Sequence, residues 1–195
     1  TENAYVKADK IAISTNVPGR VIEVLISEND NVEGGQLLFR LNPEPFQIAL
    51  NQATAKLDSI KAEIYELQAI YRQKVAELKV QQSDLSYFQT EFDRQVKLKK
   101  RGVVSQARLD EARRNVNSTK QRILAIRQEI SRALARLGGD LSQQVDQHPL
   151  VQEAFAERER AALRLSWTEI RAPDTGIVTN ISLEPGEFVK EGTPI

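Results

Sequence analysis

Two β-rich segments at opposite ends of this 195-residue chain repeat one another without a gap. Residues 19–38 align with residues 176–195 at a constant offset of 157. Both segments are rich in β-branched residues and bounded by turn formers, which is typical of short strands. The aligned pairs include Val21 and Val178, Val32 and Val189, and Gly35 and Gly192. Any fold in which the two copies belong together must therefore contain the long segment between them as an insertion.

The stretch between the repeats has a helical pattern. From Phe46 to His148 there is no proline, and glycine occurs only at positions 102, 138 and 139. Its first part carries an apolar residue every seven positions, which predicts a coiled-coil helix about 85 Å long. The set comprises Leu57, Ile64, Tyr71, Leu78, Leu85 and Phe92. A second seam position lies three residues after each of these. Lys74, Gln81 and Gln95 occupy it, where they weaken the seam or determine its register.

A second helix follows a short turn. Basic residues before Gly102 suit the negative end of a helix, and Ser105 suits the start of the next one. The second helix repeats the seven-residue pattern at Leu109, Val116, Ile123, Ile130 and Leu137. Because the turn is so short, we expect the two helices to run antiparallel as one hairpin.

These patterns predict an α+β fold in which a long antiparallel coiled-coil hairpin is inserted between two halves of one β domain. The lead-in and first half take residues 1–43, the helical part 44–165, and the second half 166–195. We expect the hairpin tip at about 99–105, a break at about 138–148, and a third helical piece from about Pro149 to Leu165. A first strand is expected from Ile11 to Thr15.

Composition argues against several classes of function. Basic and acidic residues number 27 each, so no net charge favours a nucleic-acid partner. There is no cysteine, and His148 is the single histidine, which leaves no thiol nucleophile, catalytic triad or metal set. No Gly-x-Gly-x-x-Gly motif or phosphate-binding loop is present. We therefore expect no enzyme, no cofactor and no metal.

The ends of the chain favour a fragment of a longer protein. The sequence contains no methionine and stops at Pro194-Ile195, within an expected strand. No apolar run approaches the roughly 20 residues that span a bilayer. We expect that a segment before Thr1 has been removed and that further sequence follows Ile195.

Each β copy resembles half of the biotinyl/lipoyl carrier domain. The resemblance lies in the strand-turn pattern Val-x-x-Gly, which occurs at Val32–Gly35 and Val189–Gly192. In the carriers, the hairpin after the first half bears a modified lysine. Asn42-Pro43-Glu44-Pro45 stands there instead, so the resemblance implies the fold without biotin or lipoate. The helical insert leaves from this position.

A split lipoyl-like domain with a helical hairpin in its waist resembles the HlyD/EmrA family of membrane fusion proteins. The opening residues 1–6, residues 146–152 and the Ala172-Pro173-x-x-Gly176-x-Val178 pattern carry the resemblance. It implies a periplasmic adaptor, anchored in the inner membrane, that links an inner-membrane transporter to a TolC-like outer-membrane channel. It also implies assembly as trimers or hexamers and a β-barrel part after Ile195. The EmrA-like start favours a major-facilitator transporter.

The family's channel-docking tip carries an arginine, a leucine four residues later and a serine seven residues beyond that. Arg94, Leu98 and Ser105 match these spacings. The resemblance implies that they dock against the channel. Each has a plainer reading: Ser105 as a helix cap, Leu98 as a seam residue and Arg94 as surface charge. Because Leu98 lies off the seam register, we expect it to be exposed.

Two other functions stay open at this point. A coiled-coil scaffold or tether without an export role uses the same heptads and lipoyl-like halves. An adaptor of an ABC-type exporter has the same architecture. A covalent carrier is disfavoured because the lysine is missing.

Overall fold

The computed structural model describes residues 10–139 and 144–195. Six strands and three α-helices follow one another along the chain. They are β1 (Gly19–Val24), β2 (Asn31–Val32), β3 (Leu37–Leu41), α1 (Glu44–Lys100), α2 (Gln106–Arg136), α3 (Pro149–Ser166), β4 (Glu169–Arg171), β5 (Gly176–Ile177) and β6 (Phe188–Val189). They form two compact units, one of residues 58–152 and one of the chain on either side of that range.

The β unit draws its core from both ends of the chain. An antiparallel sheet has the order β4-β3-β1-β6, and β2 pairs with β5. In β3 the adjacent residues Leu38 and Phe39 are both buried, at the place where the pairing register with β4 shifts. The buried cluster is Val17, Val21, Val32, Leu38, Phe39, Leu41, Ile170, Ala172 and Val189. The predicted fold class is confirmed, with two β halves forming one domain.

Hydrogen bonds between the halves are reciprocal under the 157-residue offset. The Asn29 amide donates to the Val178 carbonyl at 2.9 Å. Its counterpart runs the other way, from the Gly186 amide to the Val21 carbonyl at 2.8 Å. Asn29 and Gly186 both have positive φ, at 69° and 97°. The repeat is therefore a structural one, with each half completing the other.

The glycines of the Val-x-x-Gly pattern form a second reciprocal pair. The Gly35 amide donates to the Ala172 carbonyl at 2.8 Å, and the Gly192 amide donates to the Thr15 carbonyl at 2.9 Å. Their φ angles are 86° and 74°, a left-handed conformation that glycine adopts without strain. This conformation explains why both copies have glycine at this place.

The strand expected from Ile11 to Thr15 is not formed, and that prediction is wrong. Only Ser14 makes a β-bridge there, with Pro194, and Ile11 is exposed. The Ile195 amide donates to the Ile13 carbonyl at 2.9 Å, and the Gly192 amide donates to the Thr15 carbonyl at the same distance. Gly192 has a φ of 74°, so its backbone is not extended and the ladder does not continue past it. Alternation of apolar residues was a misleading signal because it carries no information about the partner strand.

Glu28 joins the first β half to the second through its carboxylate. Its two oxygens accept hydrogen bonds from the backbone amides of Asn180, at 2.9 Å, and Ile181, at 3.0 Å. These bonds favour the charged form and hold the pKa of Glu28 below its ordinary value. Glu28 thus caps backbone donors that lie about 150 residues away in sequence.

In the helical unit, α1 and α2 pack through the predicted seams. The aliphatic seam residues of α2 are buried or half-buried, and so are those of α1. Lys74 sits in the α1 seam with its amino group 2.7 Å from Glu129 and 3.0 Å from Glu77. The hydrogen bonds to Glu129 and then Glu77 raise the pKa of Lys74. A charged seam residue is tolerated here because both carboxylates reach it.

His148 ties the end of α2 to the start of α3. Its buried ring places Nε2 3.4 Å from the Arg136 carbonyl oxygen, and Nδ1 accepts the Leu150 amide at 3.3 Å. A short 3-10 turn, Val145–Gln147, precedes it. Part of the break predicted at 138–148 lies outside the described residues. A structural role accounts for this histidine without any chemistry.

No helix among the described residues is both long and apolar enough to cross a bilayer.

Loss of Glu28 is expected to loosen the second β half in a pH-dependent way. Because the folded-state pKa is lowered, its stabilisation is present above the ordinary glutamate pKa of about 4.3 and is lost as pH falls through the lowered value. Glu28→Gln should therefore speed amide hydrogen exchange at residues 180 and 181 at neutral pH, and flatten the acid dependence of that exchange. Glu33→Gln is the matched control, and an equal effect there would contradict the assignment.

The seam of the hairpin should respond strongly to truncation. Ile126 is 3% exposed, whereas Val75 on α1 is 40% exposed. Ile126→Ala should lower the free energy of unfolding of the helical unit by about 2–5 kcal/mol. Val75→Ala should change it by no more than about 0.5 kcal/mol. Urea unfolding followed by circular dichroism measures both, and equal losses would show that the seam is misplaced.

Candidate docking site at the hairpin tip

The end of α1 is closed by two backbone hydrogen bonds. The Val103 amide donates to the Leu98 carbonyl at 3.1 Å, and the Gly102 amide donates to the Lys99 carbonyl at 2.9 Å. Gly102 has a φ of 74°. This is the Schellman arrangement, in which a left-handed residue lets the chain turn back over the last helical turn. Gly102 is therefore the left-handed residue that ends α1 after its basic last turn.

The start of α2 is capped by Ser105, as predicted. Its backbone is extended, with φ of −74° and ψ of 159°, and its Oγ accepts the Arg108 amide at 3.4 Å. Capping uses the oxygen as an acceptor only, so the hydroxyl hydrogen can still donate. Ser105 is exposed. Capping and contact with a partner are therefore compatible.

The tip is strongly basic, although the whole chain is neutral. Residues 58–139 hold 17 basic and 10 acidic side chains, and the rest of the chain holds 10 and 17. Residues 94–108 hold six basic side chains and no acidic one. The six are Arg94, Lys97, Lys99, Lys100, Arg101 and Arg108. Total charge conceals this separation, which a local count along the sequence reveals.

The structure places Arg94 and Leu98 one turn apart on α1, with Ser105 across the turn. Arg94 is exposed and contacts Glu91 at 3.1 Å. Leu98 is half-buried, so the expectation that it is exposed is wrong. Its carbonyl holds the Val103 amide, and the turn therefore folds back over this end of the helix.

Val103 is the exposed apolar side chain of the tip, and sequence reasoning missed it. Its exposed fraction is 68%. Two signals could have found it: it follows a glycine in the left-handed position, and it lies between the seams of the two helices. An apolar side chain surrounded by basic ones can enter a pocket of a partner.

A cleft of about 350 Å³ lies between the helices just below the tip. It is lined by Tyr87, Phe88, Glu91, Gln95, Arg108, Glu111, Ala112 and Asn115. Gln95 donates from Nε2 to Glu91 at 2.6 Å, while its Oε1 is buried without a hydrogen-bond partner. An unsatisfied buried oxygen is costly, so this part of the hairpin is less stable than a fully hydrogen-bonded seam.

Groups of three or more His, Cys, Asp or Glu side chains that could hold a metal are absent from the described parts of the chain. The exposed side chains of the tip are cations, one apolar side chain and a hydroxyl.

A family model described as "EMRA, alpha-helical hairpin domain" matches residues 46–168. This match covers more than half of the chain and includes the whole hairpin with its tip.

Curated relatives match over the full chain, and two of them are described here. Multidrug export protein EmrA of Escherichia coli (strain K12) is 31% identical over 196 residues, which cover 100% of this chain and 49% of that protein. Fatty acid resistance protein FarA of Neisseria gonorrhoeae is 31% identical over 195 residues, again covering 100% and 49%. The chain thus spans about half the length of the curated relatives it matches.

The chain is also similar to solved structures, of which two are described here. The periplasmic adaptor protein EmrA is 20% identical with a TM-score of 0.48, covering 96% of this chain and 71% of that one. MacA from Actinobacillus actinomycetemcomitans is 19% identical with a TM-score of 0.45, covering 95% and 47%.

Substitutions at Ser105 should separate capping from any other role. Ser105→Ala removes the cap and should lower the free energy of unfolding of the helical unit by about 1 kcal/mol. Ser105→Asp keeps a strong capping oxygen and should leave that free energy nearly unchanged. Urea unfolding distinguishes the two variants. Equal stability of the alanine variant and the unaltered protein would show that the 3.4 Å contact contributes nothing.

Proposed function

Because the chain belongs to the family of EmrA-type membrane fusion proteins, we propose that it is the periplasmic part of an efflux adaptor. The adaptor links an inner-membrane transporter to a TolC-like outer-membrane channel, and the hairpin tip docks on the channel. The observation that carries this proposal is the tip itself. Residues 94–108, which include Arg94, Leu98 and Ser105, hold six basic side chains and no acidic one.

We propose a major-facilitator transporter as the inner-membrane partner and small-molecule compounds as the cargo. The EmrA-like opening of the sequence supports the transporter class. The relatives are named for multidrug export and for fatty acid resistance, which supports export of small, largely apolar compounds. The protein's position at the periplasmic face of the inner membrane and its assembly as trimers or hexamers belong to the same proposal.

The chemistry of docking follows from what each tip residue can exchange. Arg94 has only a surface contact with Glu91, which costs little to break, and its guanidinium can then bind a carboxylate or carbonyl of the channel through two bonds. Ser105 can donate its hydroxyl hydrogen while it caps α2. Val103 supplies an apolar contact. A channel end that presents acidic and carbonyl oxygens around a small apolar pocket would fit this set.

The helical unit below the tip acts mechanically in this proposal. Its seam is continuous and its one charged seam residue, Lys74, is held by two carboxylates. A stiff hairpin keeps the docking residues in one geometry. The adaptor aligns two membrane components, and transport of cargo depends on that alignment.

Docking is tested by placing a cysteine at the tip and asking what it reaches. The chain has no cysteine, so Leu98→Cys or Val103→Cys is the only thiol it contains. We expect disulfide crosslinks to cysteines placed in the periplasmic end of the TolC-like channel, in cells that express the whole system. Arg94→Asp should reduce drug resistance several-fold at unchanged protein level, because it reverses a charge in the contact.

Lys79→Asp is the matched control, since it reverses a charge on an exposed face of the same helix away from the tip. It should leave resistance unchanged. Ser105→Asp keeps the helix cap, so a loss of resistance in that variant reports docking and not folding. The absence of tip crosslinks, with full resistance in Arg94→Asp, would overturn the docking proposal.

A further inference from the structure

The two flanks of the α1–α2 seam carry different charge. Ion pairs identify one flank: Arg136 contacts Glu63 at 3.0 Å there, and Glu129 reaches Lys74 from the same side. On this flank α1 presents Glu77, Asp84 and Glu91, each seven residues from the next, and we call this row of α1 the acidic flank. On the same side of the seam, the heptad count places Arg108, Arg122, Glu129 and Arg136 of α2.

The opposite flank is basic. There α2 presents Arg113, Lys120 and Arg127, which are exposed and also spaced by seven residues. None of the three makes an ion pair within the described parts of the chain. The residues of α1 that face this flank include no acid; they are Gln68, Val75, Gln82, Gln89 and Val96. Heptad geometry places these positions across the seam from the acidic flank. We call it the basic flank.

Contacts within the hairpin determine which residues lie at the same height. Lys74 contacts Glu129, and the Arg113 guanidinium lies 5.9 Å from the centre of the Phe92 ring. From either contact, one can count residues up one helix and down the other. Both contacts then give the same register to within about one residue. At equal height lie Glu77 and Arg127, Asp84 and Lys120, and Glu91 and Arg113.

These pairs cannot meet within one hairpin, because their members point away from each other on opposite flanks. They would meet between two copies that stand side by side with their tips level. Each acid of one copy then lies opposite a base of the next, at three successive heptads. Glu77 and Glu91 have ion-pair contacts on their own helix, whereas Asp84 has only the Gln81 amide at 3.3 Å.

Two exposed apolar residues also lie at equal height in this register, which is an observation separate from the charges. Val80 lies beside the acidic flank and is 56% exposed, and Leu124 lies beside the basic flank and is 51% exposed. They fall at equal height by the count that aligns the charges. An exposed aliphatic residue is unremarkable alone. Two that match across complementary charged flanks indicate a contact surface.

We propose that copies of this chain associate laterally, with the acidic flank of α1 in one copy against the basic flank of α2 in the next. The contact pairs are Glu77 with Arg127, Asp84 with Lys120, Glu91 with Arg113, and Val80 with Leu124. Such a contact is heterologous, since different surfaces meet, and it generates a closed ring when the rotation between copies allows. This contact deepens the proposed function, because it defines which faces meet in self-assembly and in which register. It rests on the proposed function, since docking on one channel places the tips of all copies at the same height.

Engineered disulfides test the register. Asp84→Cys combined with Lys120→Cys should give a ladder of dimers and larger species on a non-reducing gel after mild oxidation of the protein in cells. Each single variant should run as a monomer on the gel, because the proposed interface does not place Asp84 of one copy next to Asp84 of another. Asp84→Cys with Arg127→Cys, or with Arg113→Cys, displaces the partner by one heptad of about 10.5 Å, which exceeds disulfide range. These mismatched pairs should form few crosslinks.

Charge reversal supplies a second measurement if a cysteine variant fails to accumulate. Asp84→Lys should weaken chemical crosslinking between copies, and Asp84→Lys with Lys120→Asp should restore it. A ladder in the mismatched register, or from a single cysteine, would overturn this interface while leaving self-assembly intact. No crosslink in any register would overturn lateral contact itself. Crosslinking of the tip to the channel is measured separately, so failure of docking is distinguishable from failure here.

Discussion

Reciprocal backbone pairing between the two β halves is the interaction on which the rest of the structure depends. Neither half has enough strands to bury its own apolar face, and the buried cluster draws on both. The amide of Gly35 reaches the second half and the amide of Gly192 reaches back to the first. Glu28 adds a charged link across the same junction. Because these contacts join the ends of the chain, everything between them is held as a loop with adjacent ends.

Most of the fold was predictable because two periods dominate the sequence. A seven-residue apolar period specified the hairpin, and the ungapped repeat specified the shared β domain. The failures were local. The strand expected at Ile11–Thr15 is not formed, because its partner backbone leaves the extended conformation at Gly192. Leu98 was expected to be exposed because heptad counting ignores the chain that turns back over the helix end.

The tip shows where sequence patterns stop being informative. Spacing placed Arg94, Leu98 and Ser105 near the turn, and the cap at Ser105 followed from residue type. The exposure of Val103 and the unpaired oxygen of Gln95 depend on how the turn and side chains pack, which no periodicity encodes. Charge separation was present in the sequence but hidden by an even total. Local counts along a helix give more information than net charge when a chain contains a long arm.

The 157-residue offset also sets the order in which parts of this protein can fold. Contacts between α1 and α2 are close in sequence near the turn, so the hairpin can zip from its tip downward as soon as α2 has been synthesised. The β domain cannot close then, because its second half is made only after α2 and α3. The first half must therefore wait, with unpaired edges and part of its apolar face exposed, until residue 189 arrives. The β unit is therefore open to misassembly with other chains during synthesis. The hairpin is open to such misassembly only briefly.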